Sequence, residues 1–221
     1  MSMTLLPDTI PIFPLPNVVL FPQIDLPLHI FEPRYREMVA DAMSGDRLIG
    51  MVLLRGDWRR EYHGAPEVFP LGCVGRIETF DLLPDGRSNL VLRGVARFDM
   101  TAEVEGRAYR RARVSWRTES EQAVAEEIEH LNARLQISVA RLLARRELEV
   151  PSDMWERLPR GTGLLVNTLA SVLDLAAIEQ LALLECDDVA DRVERLLEVL
   201  EFRLAGGAAF LASSGDDEPR H

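Results

Sequence analysis

The chain contains no lysine, and all 25 of its basic residues are arginine. A Walker A loop, a Schiff-base enzyme and a Ser–Lys dyad each depend on a lysine side chain. Arg-biased codon usage is the simplest origin of this absence, and it leaves the chemical consequence unchanged. Active sites that depend on lysine are therefore excluded.

Cysteine is also scarce, because Cys73 and Cys186 are the only two and lie far apart in the sequence. They form no CxxC pair and no disulfide framework. The N-terminus lacks the basic start and apolar run of a signal sequence, and no segment approaches 18 consecutive apolar residues. We therefore expect a soluble protein in the reducing cytoplasm.

Positive charge is not concentrated anywhere. Residues 1–118 hold 15 Arg against 15 Asp plus Glu, whereas residues 119–221 hold 10 Arg against 21, so the second part carries the whole net charge of −11. Nucleic-acid binding depends on neutralising phosphates, so this chain is a poor candidate for it. The length of 221 residues and the hydrophobic fraction of 47% fit one large globular domain or two small ones.

Residues 8–118 predict a β-rich domain. The predicted strands cover 9–15, 26–31, 47–55, 73–83, 88–100 and 109–118. Prolines in the first strand favour an edge position or a strand end, and the continuous apolar run of the third predicts burial on both faces. Pro84-Asp85-Gly86 supplies a turn between two strands.

One helix interrupts these strands. Its apolar stripe recurs at helical spacing, and Gly45 would end it as a left-handed cap. The stripe consists of Tyr35, Met38, Val39, Ala42 and Met43. Several strands with one helix predict a mostly antiparallel sheet curled into a small barrel, and the polar segment 56–70 predicts a long, mobile loop.

From residue 119 onward the apolar period becomes helical. Stripes over 124–142, 165–173, 175–185 and 189–204 predict four helices, with a short helical turn within 150–159, and Asp187 or Asp188 can cap the last helix. Because such stripes must bury one another, residues 119–205 predict a helical bundle. Residues 206–221 predict a disordered acidic tail.

Motifs for catalysis, metal binding and phosphate binding are missing. The chain has no GxSxG, and its Glu-x-x-His at 127–130 lacks the second such pair that a di-iron site needs. The spacing of His29, His63 and Cys73 matches no zinc motif, and the GTG at 161–163 is better explained as a helix start than as a phosphate loop. We therefore predict no catalytic residue, no metal ligand and no cofactor.

Two groups of residues remain candidates for binding a partner. In LPLHIFEPRYREM (26–38), Pro33 suits a first helical turn and Leu26, Leu28 and Ile30 share one strand face, which leaves His29, Phe31 and Arg34 less explained. The second group lies on the strand 109–118, where Arg111, Arg113 and Arg117 alternate with apolar residues. That arginine face would bind an acidic partner, stay solvated as an exposed strand face, or meet the acidic helical part of the chain.

Several blocks of the chain, in order, resemble the Lon protease N-terminal (substrate-binding) domain family. They are IPIFPLPNVVLFPQIDLPLHIFEPRYREMV (10–39), FPLGCVGRIETFDLLPDGRSNLVLRGVARFDM (69–100), YRRARVSW (109–116) and the helical segment that starts at LVNTLASVLDL. The resemblance spans about residues 8–203. It implies an α+β protein, with a mostly antiparallel PUA-like pseudo-barrel carrying one inserted helix, followed by a C-terminal helical bundle.

The resemblance also implies a function. In Lon proteases this region helps to recognise unfolded or degron-bearing proteins, and this chain lacks their ATPase and Ser–Lys peptidase modules. We therefore expect a non-enzymatic polypeptide-binding or adaptor protein in protein quality control. Its partners would be such polypeptides or a separate protease or ATPase, and not nucleic acid or membrane. The alternatives are a hydrolase or small-molecule-binding protein with a cleft between its two parts, and a regulatory subunit that docks to a separate ATPase.

Overall fold

The computed structural model describes residues 6–61, 64–120, 125–147 and 153–206. Its strands are β1 Thr9–Leu15, β2 Asp25–Ile30, β3 Leu48–Leu54, β4 Val68–Leu82, β5 Ser88–Val104 and β6 Arg111–Trp116. Its helices are α1 Pro33–Ser44, α2 Ala125–Arg145, α3 Met154–Arg157, α4 Thr162–Val172, α5 Ala177–Glu185 and α6 Val189–Leu204. The expected α+β class is confirmed, and the predicted tail, apart from Gly206, lies outside the described residues.

The six strands form one mixed sheet in the order β2-β5-β4-β3-β1-β6. Because β5 also pairs with β6, the strands β5, β4, β3, β1 and β6 close into a ring, and β2 adds to β5 outside it. Only the pairing of β1 with β3 is parallel among these strands. A parallel neighbour needs a long crossover, and here β2 and α1 supply it.

Strand β1 occupies an interior position between β3 and β6, so of the two predicted placements for its prolines, an edge strand or a strand end, the edge strand is wrong. Its first half pairs with β6, as in Ile10 opposite Ala112, and its second half pairs with β3, as in Ile12 opposite Gly50. Successive amides of a strand point to opposite sides. The nitrogen of each proline, which carries no N–H, therefore faces a neighbouring strand at a point where no hydrogen bond is needed. For Pro11 the pairing with that strand has not yet begun, and for Pro14 it has already ended.

Strand β3 is buried along its whole length, as its apolar run predicted. The ring interior is filled by large apolar side chains around Phe98, which is fully buried. A Cβ at Gly50 or Gly72 would collide with the Phe98 ring, so these two glycines leave room for it. The core cluster consists of Ile10, Ile12, Leu48, Val52, Val74, Phe98, Ala112 and Val114.

Helix α1 starts at Pro33 and buries Tyr35, Met38, Val39 and Ala42, as its stripe predicted. Its end differs from expectation, since Gly45 has φ −120° and is not left-handed. The left-handed residue is Arg47 at φ 58°, and its N–H donates to the carbonyl of Ala42. The chain thus turns two residues later than predicted.

The connection from β3 to β4 is shorter than the predicted loop 56–70. A 3-10 helix forms at Trp58–Glu61, and β4 begins at Val68 rather than at Cys73. Leu54 pairs with Val68 across a register shift, which extends β4 into the polar segment. Residues 62–63 of that segment lie outside the described residues.

The chain forms two compact units that divide at the predicted boundary after residue 118, but residues 167–185 of the predicted helical bundle return to the first unit. Of the described residues, those up to Thr118 and those of Asn167–Glu185 form one unit, and those of Glu119–Val166 and from Cys186 onward form the other. The end of α4 and the whole of α5 therefore belong with the sheet, whereas the sequence placed them in a helical bundle.

Two buried polar side chains connect residues 167–185 to the first unit. Arg97 of β5 is 2% exposed and donates to the carbonyls of Leu184 at 2.9 Å and Thr118 at 3.0 Å. Asn167 is 1% exposed and donates to the carbonyl of Pro22 at 3.1 Å. The Leu184 carbonyl is at the C-terminal end of α5, where a cation also complements the helix dipole.

In the second unit, α2 and α6 bury their apolar stripes as predicted. The buried side chains are Leu131, Leu135, Val139 and Leu142 on α2 and Val193, Leu196, Leu197 and Leu200 on α6. Asp188 caps α6, since its carboxylate accepts the Ala190 N–H at 2.8 Å. Among the described helices, none has the length and apolarity needed to cross a membrane.

Candidate functional site

His29 and Phe31 lie on the outer face of the sheet at the end of β2. The sequence alternation holds here, because Ile30 is buried between them while His29 and Phe31 are exposed. The Phe31 ring is 58% exposed and stacks on His29, with ring centroids 6.1 Å apart and planes 26° apart. A large aromatic ring held in water is a common mark of a binding surface.

The hydrogen bond to Asn89 fixes the orientation of the His29 ring. The Nδ1 atom of His29 lies 2.7 Å from Asn89 Oδ1, and the ring N–H donates because an amide oxygen can only accept. His29 and Asn89 are directly opposite each other across β2 and β5, and Asn89 is opposite Asp81 of β4. Residues opposed in this way share one face of the sheet, so the three side chains form a row.

A groove of about 370 Å³ runs over this outer face. A second row, Pro27, Val91 and Thr79, lies beside the first and makes the groove partly apolar. The lining residues are Pro27, Leu28, His29, Thr79, Asp81, Asn89, Leu90 and Val91. We call this groove together with the Phe31 ring the β2 surface. Its residues are far apart in the sequence, and only the strand register brings them together.

Arg34 belongs to the start of α1 and is held by its neighbours. Its Nε donates to Glu32 Oε2 at 3.0 Å, and its guanidinium lies 4.6 Å from the centre of the Tyr35 ring. Tyr35 itself is buried against Phe13. These contacts account for Arg34 as a structural residue at the helix start, close in sequence to the β2 surface.

Arg111 and Arg113 lie on β6 and are not part of the β2 surface. Arg113 is opposite Ala102 near the end of β5, whereas His29 is opposite Asn89 near its start. Arg113 is exposed, and Arg111 is half-buried with its guanidinium donating to the Glu105 carbonyl at 2.8 Å. The five candidate residues therefore fall into separate places in the fold.

Arg117, the third arginine of that face, is tied to α5. Its guanidinium donates to the Glu185 carbonyl at 3.1 Å and lies 3.4 Å from Asp99 Oδ1. It thus joins Arg97 in binding carbonyls at the C-terminal end of α5. Arg97 was not among the predicted site residues, although it lies within the strand predicted at 88–100. The sequence signal that could have identified Arg97 is a charged residue at a strand position that points inward.

A cavity of about 260 Å³ next to Tyr109 was also not predicted. The Tyr109 hydroxyl donates to Asp41 Oδ2 at 2.7 Å, and Arg107 lies 3.4 Å from the same oxygen. Burial, and then the bond to Asp41, raises the pKa of Tyr109 to about 12. A phenol with that pKa stays protonated near neutral pH, so it is not suited to act as a general base there.

The raised pKa gives a prediction for alkaline stability. Replacing Tyr109 with Phe should lower the unfolding free energy by about 0.5–1.5 kcal/mol at pH 8, the usual contribution of one hydrogen bond. The ordinary tyrosine pKa is near 10. The native phenol therefore stabilises the fold fully below about pH 10 and loses that contribution as the pH rises towards about 12.

Urea unfolding of both proteins at several pH values measures this. The difference in unfolding free energy should shrink above about pH 10. A difference that stays constant up to pH 12 would contradict the raised pKa of Tyr109.

Metal-binding clusters are not found in the part of the chain that the structure describes: no group of three or more His, Cys, Asp or Glu side chains there could hold an ion. Cys73 is buried, and both described cysteines are free thiols.

Comparison with known proteins places this chain in a family. The model described as the ATP-dependent protease La (LON) substrate-binding domain matches residues 9–201. The chain belongs to this family. The Lon substrate-binding domain thus accounts for both the sheet and most of the helices.

Individual relatives agree with this family. The chain is 30% identical over 197 residues to Lon protease 2 of Myxococcus xanthus and 32% identical over 218 residues to the Lon protease of Paraburkholderia phytofirmans. These matches cover 88% and 92% of this chain but only 24% and 25% of those proteins. The chain therefore spans about a quarter of the length of the Lon proteases that it matches.

Two solved structures resemble almost the whole Lon-like domain. A Lon N-terminal domain protein from Xanthomonas campestris is 28% identical, with a TM-score of 0.62 over 86% of this chain and 97% of that one. The N-terminal domain of a Mycobacterium avium complex Lon protease has a TM-score of 0.65 over 87% and 98%, at 21% identity. The second shows the likeness of fold alone.

Proposed function

We propose that this protein recognises polypeptide segments through the β2 surface and acts as a non-enzymatic adaptor in protein quality control. The observation that carries the proposal is the exposed Phe31 ring, stacked on His29 beside a partly apolar groove. Membership of the Lon substrate-binding family supports a polypeptide as the ligand. A PUA-like pseudo-barrel is the architecture that we propose for the closed ring of strands.

A segment bound across the face of the sheet fits the β2 surface better than a strand added to its edge. β2 is the last strand in the sheet order, so its outer edge is a candidate for strand addition. Pro27, however, has no N–H to offer such a strand. The groove instead offers apolar contacts from Pro27 and Val91 and hydrogen-bonding groups from His29 and Asn89.

Replacing Phe31 with Ala tests the proposal. Aromatic anchors at the centre of an interface commonly contribute more than about 1–2 kcal/mol, so we expect about 5- to 30-fold weaker binding of short labelled peptides with an apolar core. Thermal stability should change little, because the ring is mostly exposed. Fluorescence anisotropy on the full chain measures the affinity, and a thermal melt measures stability.

Ile178 of α5 provides a matched control. It is 55% exposed, almost as much as Phe31, and it is not among the residues that line the groove. Replacing Ile178 with Ala should leave peptide affinity unchanged. An equal loss of peptide affinity in the two variants would indicate non-specific binding to exposed apolar side chains. A large loss of thermal stability in the Phe31 variant would show that its ring is part of the core.

A further inference from the structure

The groove of the β2 surface carries an uneven charge. Among the described residues that line it, Asp81 is the single carboxylate and none is an arginine. The Asp81 side chain is exposed, so its charge faces whatever occupies the groove. An occupant that is only apolar would leave this carboxylate without an opposite charge at close range.

Arginines on the neighbouring strands do not supply that charge. Arg93 lies 3.0 Å from Asp25, and Arg87 lies 2.6 Å from Asp85 at the hairpin turn. The Arg87 amide and guanidinium also bind Asp85, and they lower the pKa of that carboxyl, so the pair is held together. Arg36 of α1 lies against Gly86 of the same turn and not in the groove.

We propose that the groove selects polypeptide segments that carry Lys or Arg a few residues from an apolar side chain. This specificity rests on the proposed polypeptide binding. The apolar side chain packs on Phe31 and His29, and the cation lies at Asp81. The partner is thus an extended, locally basic and apolar segment.

The spacing between the two positions follows from the strand geometry. His29 and Asp81 are two strands apart in one row, which places them about 10 Å from each other at the usual strand separation. An extended peptide covers about 3.3 Å per residue, and the Phe31 ring extends the apolar end by one side chain. The cation should therefore be the third or fourth residue along the chain from the apolar residue.

Three labelled peptides that differ at one position test this selectivity on the full chain. Each has the same apolar core, and the position four residues away is Lys, Gln or Glu. An exposed ion pair contributes up to about 1 kcal/mol, so the Lys peptide should bind about two- to fivefold more tightly than the Gln peptide, with the Glu peptide weakest. Added salt should reduce this order, because it screens an exposed charge.

Two variants connect the selectivity to Asp81. Replacing Asp81 with Asn should abolish the difference between the Lys and Gln peptides, and Asp81→Arg should favour the Glu peptide. Glu78→Gln is the matched control, because Glu78 is exposed on the same strand but does not line the groove. It should keep the preference for Lys.

The outcomes separate this inference from the proposed function. If all three peptides bind equally well to the native chain, or if Asp81→Asn and Glu78→Gln change the preference equally, the selectivity is overturned and polypeptide binding stands. If none of the peptides binds, polypeptide binding itself is overturned, and the selectivity with it.

Discussion

Replacing the buried Arg97 with Met should lower the unfolding free energy by about 2–4 kcal/mol, because charge-assisted hydrogen bonds are lost and the buried Leu184 carbonyl is left without this donor. Methionine fills most of the space of the arginine stem but offers no donor. The carbonyls of Leu184 and Thr118 then lose the guanidinium that binds them. The end of α5 would lose one of its polar contacts with the sheet and keep the bond from Arg117 to the Glu185 carbonyl.

Urea unfolding followed by circular dichroism measures the global effect, and hydrogen exchange locates it. Amides of α5 should lose more protection than those of β3, since β3 is held within the closed ring. Arg93→Met is the matched control, because Arg93 is on the same strand in an exposed ion pair with Asp25. Such pairs contribute only about 0–1 kcal/mol. Equal stability of the two variants would contradict the role given to Arg97.

Local patterns in the sequence were sufficient to predict most of the elements. The alternation in β6 and the apolar run of β3 each correspond to an observed strand. The turn at Pro84-Asp85-Gly86 joins β4 to β5, with Gly86 at φ 80°. These features depend on neighbours within a few residues, so the sequence contains them directly.

Local patterns did not predict which helices pack with the sheet and which pack with other helices. The apolar stripes of α4 and α5 predict that these helices are buried, but not whether a sheet or another helix covers them. Their place with the sheet includes hydrogen bonds from Arg97 and Asn167 to backbone carbonyls far away in the sequence, and no local pattern indicates such bonds. The interior position of β1 likewise depends on where its hydrogen-bonded pairings with β3 and β6 begin and end. Those limits allow Pro11 and Pro14 to lie inside the sheet although neither has an N–H.

The candidate site was predicted only in part for a related reason. Alternation along one strand was enough to place His29 and Phe31 on the same face. Asp81, Asn89 and Val91 join them through the register of three strands, and a shift of one residue would turn them to the other face. Sequence patterns alone do not fix that register, so the groove became visible only in the fold.

Gly94 controls that register at the point where the chain enters β2. Its carbonyl accepts the Gln23 N–H at 2.8 Å, and its N–H donates to the Ile24 carbonyl at 2.9 Å. A Cβ on this residue would overlap the carbonyl oxygen of Phe21 and crowd Pro22. The obstacle is backbone, which cannot move aside as a flexible side chain does, so Gly94→Ala should displace the segment that leads into β2.

We expect Gly94→Ala to cost about 3 kcal/mol of unfolding free energy, at the upper end of the usual range for overpacking. Displacement of β2 should also weaken peptide binding, because His29 and Phe31 follow on that strand. Gly161→Ala is the control, since a Cβ there meets nothing within 4 Å; it should cost no more than about 1 kcal/mol, because Gly161 precedes α4 and alanine is a poorer helix cap than glycine. If Gly94→Ala were as stable as Gly161→Ala and bound peptide normally, the tight approach of residues 21–24 would not be what positions the β2 surface.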